Sequence, residues 1–179
     1  MQRLHLETPF VEWIALQDLQ ITRACNRLCR ARPFRCFFAL VSRLGDGIGW
    51  YTLILAIPFV FGPAALGVSL RMAIVGALGL LVYKWIKART ARPRPFTRSH
   101  QIAPGTPPLD QFSFPSGHTL HATAFTIVAV SSLPALFWVT VPFAGCVALS
   151  RLVLGLHYPS DVLAGAAIGA MLAGLVLAF

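Results

Sequence analysis

Between Leu66 and Trp85 the chain runs for twenty residues whose only charges, Arg71 and Lys84, sit near the two ends. That matches the ~20 apolar residues a helix needs to cross the hydrocarbon core of a bilayer. No other feature constrains the fold as much. Inside lipid every backbone N–H and C=O must be paired within the protein, so only α-helices and closed β-barrels can span. No segment alternates polar and apolar residues as a barrel strand does. The expected fold is therefore all-α, an integral membrane helical bundle. Composition agrees: 12% of the residues are charged, against about 25% in soluble domains, and the mean hydropathy is +0.70.

Four further apolar stretches follow the same logic. Ile48–Gly62 is short and must borrow flanking residues, and Gly62-Pro63 marks a turn. Gly117–Leu133 ends at Pro134, the next stretch continues to about Leu152, and the last runs from Pro159 to Phe179. About five transmembrane helices are expected. The first 47 residues differ. Phe10, Trp13, Ile14, Leu16 and Leu19 precede Arg23, Arg27, Arg30, Arg32 and Arg35, the pattern of an amphipathic helix lying in the interface. Cys36–Val41 is a second short apolar patch. Neither patch reaches spanning length; six helices result if residues 10–44 conceal a further span. The expected division is 1–47, an N-terminal amphipathic interfacial region, and 48–179, a transmembrane domain. Glu7, Glu12 and Asp18 interrupt the first twenty residues, so no cleavable signal peptide is expected.

The net charge of +9 would suggest nucleic acid in a soluble protein. Here the basic residues flank apolar spans, so membrane lipids with anionic headgroups are the expected partners and nucleic acid is not. Cys25, Cys29, Cys36 and Cys146 form no disulfide framework. Cys25 and Cys29 have one-face helical spacing, but no nearby His completes a zinc site. They read as free thiols.

Three motifs carry the chemistry: Lys87-x6-Arg94-Pro95, Pro115-Ser116-Gly117-His118 and Ser150-Arg151-x5-His157-x3-Asp161. Counting spans brings all three to one membrane surface. The first two spans leave and return, so the Lys87 loop lies on the starting face. The third span begins there at Pro115–His118, the fourth returns to Arg151, and the fifth starts beside Asp161. Lys87, Arg94 and Arg151 suit an anion's oxygens, Arg bidentately. Pro115 and Pro159 suit the first position of a helix, whose N-terminus favours phosphate. Gly117 permits close approach. Arg151 and His157 are separated by about 240° on a continuous helix, so a break is expected near Gly155. This is the inventory for cleaving a phosphate ester without a metal, and the apolar setting makes the substrate a lipid phosphate.

With these spacings and this order the chain resembles the type-2 phosphatidate phosphatase family, whose signature is K-x6-RP, PSGH and SR-x5-H-x3-D. Every position matches, over roughly residues 45–179. The resemblance implies a lipid phosphate phosphatase. His157 takes the place of the nucleophile that forms a phosphohistidine, and Asp161 orients its imidazole. His118 protonates the leaving alkoxide and then activates water. Lys87, Arg94, Ser116, Gly117 and Arg151 bind the phosphoryl group. No metal and no cofactor are implied. Candidate substrates are phosphatidate, phosphatidylglycerophosphate, undecaprenyl diphosphate and a polyprenyl-phosphate sugar phosphate. Two other readings compete: a vanadate-dependent peroxidase, which the apolar spans disfavour, and a non-enzymatic lipid-phosphate binding or transport protein. The latter needs the cations but not an aligned His118, His157 and Asp161.

The expected location is the bacterial cell (inner) membrane, with the motif face cytoplasmic because the arginines gather there. The other polar residues receive plainer readings. Lys84, Arg89, Arg92 and Arg98 are topology signals, and His121 is a structural hydrogen-bonding partner. His100 and Asp110 are solvated loop residues, and Gly45-Asp46-Gly47 is a turn. Gly165, Ala166, Gly169, Ala170, Ala173 and Gly174 allow a neighbouring helix to approach.

Overall fold

The computed structural model describes residues 9–179. Arg3 and Glu7, used in the charge and leader readings, lie outside the described residues, as does the side chain of Phe10. The described residues contain eight α-helices and no strand: α1 Pro9–Asn26, α2 Arg32–Arg43, α3 Gly49–Phe61, α4 Leu66–Thr90, the one-turn α5 Pro95–Arg98, α6 Gly117–Ser132, α7 Phe137–Val153 and α8 Pro159–Leu177. Prolines start three of the turns between them. Gly62 adopts φ +85° ahead of Pro63, Pro134 follows α6, and Pro159 is the first helical residue of α8, where its missing N–H costs nothing.

Among the described residues four helical stretches are long and apolar enough to cross a membrane: Arg32–Phe61, Pro63–Arg98, Pro134–Val153 and Pro159–Leu177. The remaining expected span, α6, has 16 residues, about 24 Å of rise. It is the axis of the bundle. Leu120, Ala122, Ala124, Val128 and Ala129 on it are fully buried, and α4, α7 and α8 pack around it. The first stretch borrows upstream residues as expected. A π-helical turn, Leu44–Ile48, joins α2 to α3, but Asp46 and Gly47 (φ +124°) break the path into two rods. Phe38 on α2 packs with Val153, Leu154 and Leu156 at the motif end. On α3, Trp50 enters the main core against Phe125 and Phe143, with ring centroids 5.4 and 5.2 Å apart.

Outward-facing residues are large and apolar. Phe59, Val60, Leu70, Leu81, Trp138, Val139, Leu163 and Met171 are all exposed. In water such a surface would be a liability; against lipid tails it requires no compensation. Helix α1 shows the same inversion. From Val11 on, its buried residues are polar, Asp18, Thr22 and Asn26 at four-residue spacing, whereas Val11, Leu16 and Ile21 are exposed. The polar stripe faces α7 and α8.

The α6–α8 contact sets the spacing of the functional end. Asp161, Gly165, Gly169 and Ala173 form one buried i, i+4 stripe on α8, the geometry by which every fourth residue shares a face. A Cβ at Gly165 would lie 2.5 Å from the Ser116 carbonyl oxygen, and one at Gly169 would lie 2.3 Å from that of Leu120. Only glycine lets the backbones approach so closely. Nothing lies within 4 Å of a Cβ at Gly174, so the packing reading holds for part of the small-residue series.

Candidate active site

All three motifs line or adjoin one cavity of about 980 Å³. Lys87 comes from the last turn of α4, Arg94 from the residue capping α5, and Arg151 from the last turn of α7. All three are buried, at 7%, 2% and 3% exposure. Lone buried cations are costly unless paired, so their partners define the site. Arg94 donates from Nη1 to the Leu156 carbonyl at 2.7 Å and from Nε to the Asp110 carbonyl at 3.0 Å. Arg151 donates from Nη1 to Ser42 Oγ on α2, and its buried Nε has no partner among the described residues.

Asp110 bridges two of the cations. Its carboxylate lies 2.6 Å from Lys87 Nζ and 2.7 Å from Arg94 Nη2. This corrects the solvated-loop reading. Partial burial alone would raise the Asp110 pKa; Lys87 and Arg94 outweigh it and hold the carboxyl below its usual range. An anion already sits between two of the residues expected to bind phosphate. His100 is exposed, as expected.

Ser116 caps α6, its Oγ accepting from Thr119 N at 3.4 Å. Pro115 therefore precedes the cap and is not the first helical residue. Gly117 and His118 open the helix and line the cavity, so their N–H groups belong to the orphaned first turn. His118 Nε2 lies 3.4 Å from Asp46 Oδ1. Gly45–Gly47 is thus more than a connecting turn: the α2–α3 kink delivers a carboxylate to the second imidazole. His121 bridges the Gly117 and Gly76 carbonyls at 2.9 and 3.1 Å, the structural role expected of it.

The third motif folds as the helical arithmetic required. Helix α7 ends at Val153, and Gly155 takes φ +67°, a left-handed conformation favouring glycine. The N–H groups of Leu156 and His157 both return to the Arg151 carbonyl, at 3.0 and 3.2 Å. That turn points His157 into the cavity. Its Nε2 stands 3.5 Å from Arg94 Nη1, and its Nδ1 faces Asp161 Oδ2 at 3.6 Å. The latter is longer than a hydrogen bond, although such bonds commonly tighten only with substrate present. Full burial, then Arg151, Arg94 and Lys87, push the His157 pKa well below its usual value. This favours the neutral ring, with a lone pair to offer.

Asp161 is fully buried. Its Oδ2 accepts from Tyr158 N at 2.9 Å, and its Oδ1 accepts from Arg92 Nη1 at 2.5 Å. Arg92, read from the sequence as a topology signal, is an ion-pair partner of this carboxylate. Lys84, Arg89 and Arg98 are exposed, and Lys84 lines the cavity. The sequence reading also passed over Asp18, Ser42 and Ser160. One signal was available: Asp18, Thr22 and Asn26 recur every fourth residue, a polar stripe in a helix with apolar neighbours. Among the described residues no three His, Cys, Asp or Glu side chains gather as a metal-binding group.

Comparison with known proteins places the chain in a family. The chain is 36% identical over 143 residues to the decaprenylphosphoryl-5-phosphoribose phosphatase of Mycobacterium tuberculosis, covering 76% of this chain and 75% of that protein. It is 32% identical over 130 residues to undecaprenyl-diphosphatase BcrC of Bacillus subtilis, covering 72% and 64%. The structure of a transmembrane PAP2-type phosphatidylglycerolphosphate phosphatase from Bacillus subtilis superposes with a TM-score of 0.78 at 28% identity, covering 97% of this chain and 88% of that one. That of Aquifex aeolicus LpxE superposes at 0.79 with 24% identity, covering 91% and 96%, a likeness of fold. The PAP2 superfamily model matches residues 64–179, which contain every signature residue, and the chain belongs to the PAP2 superfamily.

Proposed function

We propose that this protein is an integral-membrane phosphatase that removes the terminal phosphate from a polyprenyl-linked phosphate or diphosphate. One observation carries the reading: a single cavity is lined both by cations and imidazoles and by apolar side chains. Lys87, Arg94, Arg151, His118 and His157 supply the first; Tyr51, Ile54, Leu55, Ala77 and Leu80, from α3 and α4, supply the second. A phosphate and a hydrocarbon chain are thereby accommodated together. The named activities of the mycobacterial and BcrC relatives support a polyprenyl chain over a diacyl one.

In the proposed mechanism His157 Nε2 attacks phosphorus in line while Asp161 stabilises the charge developing on the ring. The P–N bond forms as the P–O bond to the leaving group breaks. His118 gives that oxygen its proton, then takes one from the water that cleaves the phosphohistidine. Lys87, Arg94 and Arg151, with the first N–H groups of α6, neutralise the equatorial oxygens, where most of the stabilisation arises. Phosphate displaces the Asp110 carboxylate from Lys87 and Arg94. These cations supply the charge a metal would otherwise bring.

Purified protein in detergent is expected to release phosphate from short polyprenyl phosphates in excess EDTA, and faster than from phosphatidate. Vanadate, a mimic of the five-coordinate transition state, is expected to inhibit at low concentration. A strict magnesium requirement, or no turnover of any lipid phosphate, contradicts the reading.

The motif end is assigned to the cytoplasmic face of the membrane by the positive-inside rule. Among the described residues, Arg23, Arg27, Arg30, Arg32, Arg35 and Arg43 belong to α1, α2 and the turn between them, near this end. Arg71 lies toward the other end of α4. A cysteine replacing exposed His100, in a background with the native cysteines changed to serine, is expected to resist a membrane-impermeant thiol reagent until cells are lysed. Labelling of intact cells reverses the assignment.

A further inference from the structure

The proposed nucleophile has a partner, Asp161, that is itself held by a cation, and that cation is held in turn by the N-terminal helix. Arg92 Nη1 is shared between Asp161 Oδ1 at 2.5 Å and Ser160 Oγ at 2.7 Å. Its Nη2 reaches Asp18 Oδ2 at 2.7 Å, and its guanidinium lies 4.2 Å from the centroid of the Tyr158 ring. Asp18, on α1 and 4% exposed, accepts from Ser160 N at 3.0 Å through Oδ1 and from Ser160 Oγ through Oδ2. One buried carboxylate thus grips both the cation on Asp161 and the residue next to it in sequence.

We propose that Asp18 and Arg92 are positioning residues for the His157–Asp161 pair, forming the outer half of a relay Asp18–Arg92–Asp161–His157. The physical case has two parts. A carboxylate paired with a single guanidinium has much of its charge cancelled and attracts an imidazolium weakly. Asp18 divides the Arg92 charge between two acids, so Asp161 keeps negative charge for the ring that becomes cationic during attack. Planarity supplies the second part. A guanidinium fixed at both ends and against an aromatic face holds its carboxylate partner in one orientation. Anchoring of α1 alone does not need this arrangement. Asn26, two turns further along α1, already ties it to the Ala103 and Val153 carbonyls at 2.9 Å each and to Ala103 N at 3.0 Å.

The relay rests on the proposed roles of His157 and Asp161, and the experiment separates the two. In detergent, kcat and KM are measured for wild type, Asp18→Asn, Asp161→Asn and the double variant. Asp18→Asn is expected to lower kcat about tenfold with KM within about twofold, the scale of an interaction acting on the transition state alone. In the Asp161→Asn background the same change is expected to have no effect, because its target is gone. The His157 Nδ1–H proton resonance is expected to move in Asp18→Asn and to stay in place in Asn26→Ala, which loosens α1 without touching the relay. If Asp18→Asn does not fold, Asp18→Glu, which keeps the charge but shifts it, carries the same comparison. Equal losses of kcat in both backgrounds, or an unmoved resonance, overturn the relay. Wild-type kcat in Asp161→Asn alone overturns instead the reading of the His157–Asp161 pair.

Discussion

His157→Ala is expected to reduce turnover to background, a loss on the order of 10⁶-fold, while Asp161→Asn retains residual activity after a loss of about 10²–10⁴-fold. The asymmetry follows from position. His157 presents a ring nitrogen to the cavity beside Arg94, Nε2 at 3.5 Å from Nη1, and its deletion removes the atom proposed to bond to phosphorus. Asp161 faces the opposite ring nitrogen at 3.6 Å, so its loss costs orientation and charge. The check is the initial rate of each purified variant on a polyprenyl phosphate, with thermal unfolding in detergent to confirm the fold. Equal losses in the two variants would argue against a division into nucleophile and orienter. Wild-type rates in well-folded His157→Ala would end the proposed mechanism.

Gly165→Val is also expected to damage the enzyme, although residue 165 is one turn from the chemistry. Even a methyl at this position would meet the Ser116 carbonyl oxygen at 2.5 Å, and a backbone atom cannot swing aside as a flexible side chain can. Helix α8 must therefore move away from α6. That separates Asp161 and the turn before it from Ser116, Gly117 and His118. Overpacking of a close contact costs about 1–3 kcal/mol, and a displacement of roughly 1 Å between reacting groups costs about 10²-fold in rate. The expected result is a lowered unfolding temperature together with a kcat reduced at least about 10²-fold. Gly174→Val, on the same helix with nothing within 4 Å, is the control and is expected to behave as wild type. Similar behaviour of the two variants would mean that the α6–α8 approach does not set the site geometry.

The spans, the convergence of the motifs and the break at Gly155 were legible because each rests on a local rule. Bilayer thickness sets a run length, span counting sets a face, and the 3.6-residue turn forbids Arg151 and His157 from sharing a side of one helix. The α6 span was harder to read. Its hydrophobicity looked like that of its neighbours, yet in the structure it is a short central helix enclosed by the others. Hydropathy reports affinity for an apolar medium and does not distinguish lipid from protein interior.

The charged residues divide along the same line. Spacing within three motifs singled out Lys87, Arg94, Ser116, Gly117, His118, Arg151, His157 and Asp161, because neighbours along a helix or turn have predictable relative positions. Arg92, Asp110 and Asp46 were read as topology, solvent and turn, and Asp18 only as an acid that argues against a cleavable leader. Each gains its partner from a distant part of the chain: Asp18 reaches Ser160, Asp46 reaches His118, and Asp110 reaches Lys87. The amino-acid sequence by itself determined a helical membrane protein with a phosphate-binding signature on one face, since those follow from local periodicity and lipid exclusion of unpaired backbone. Only the tertiary structure decided which acid meets which cation, because burial makes an unpaired charge costly and the partner is whichever opposite charge the packing brings within reach.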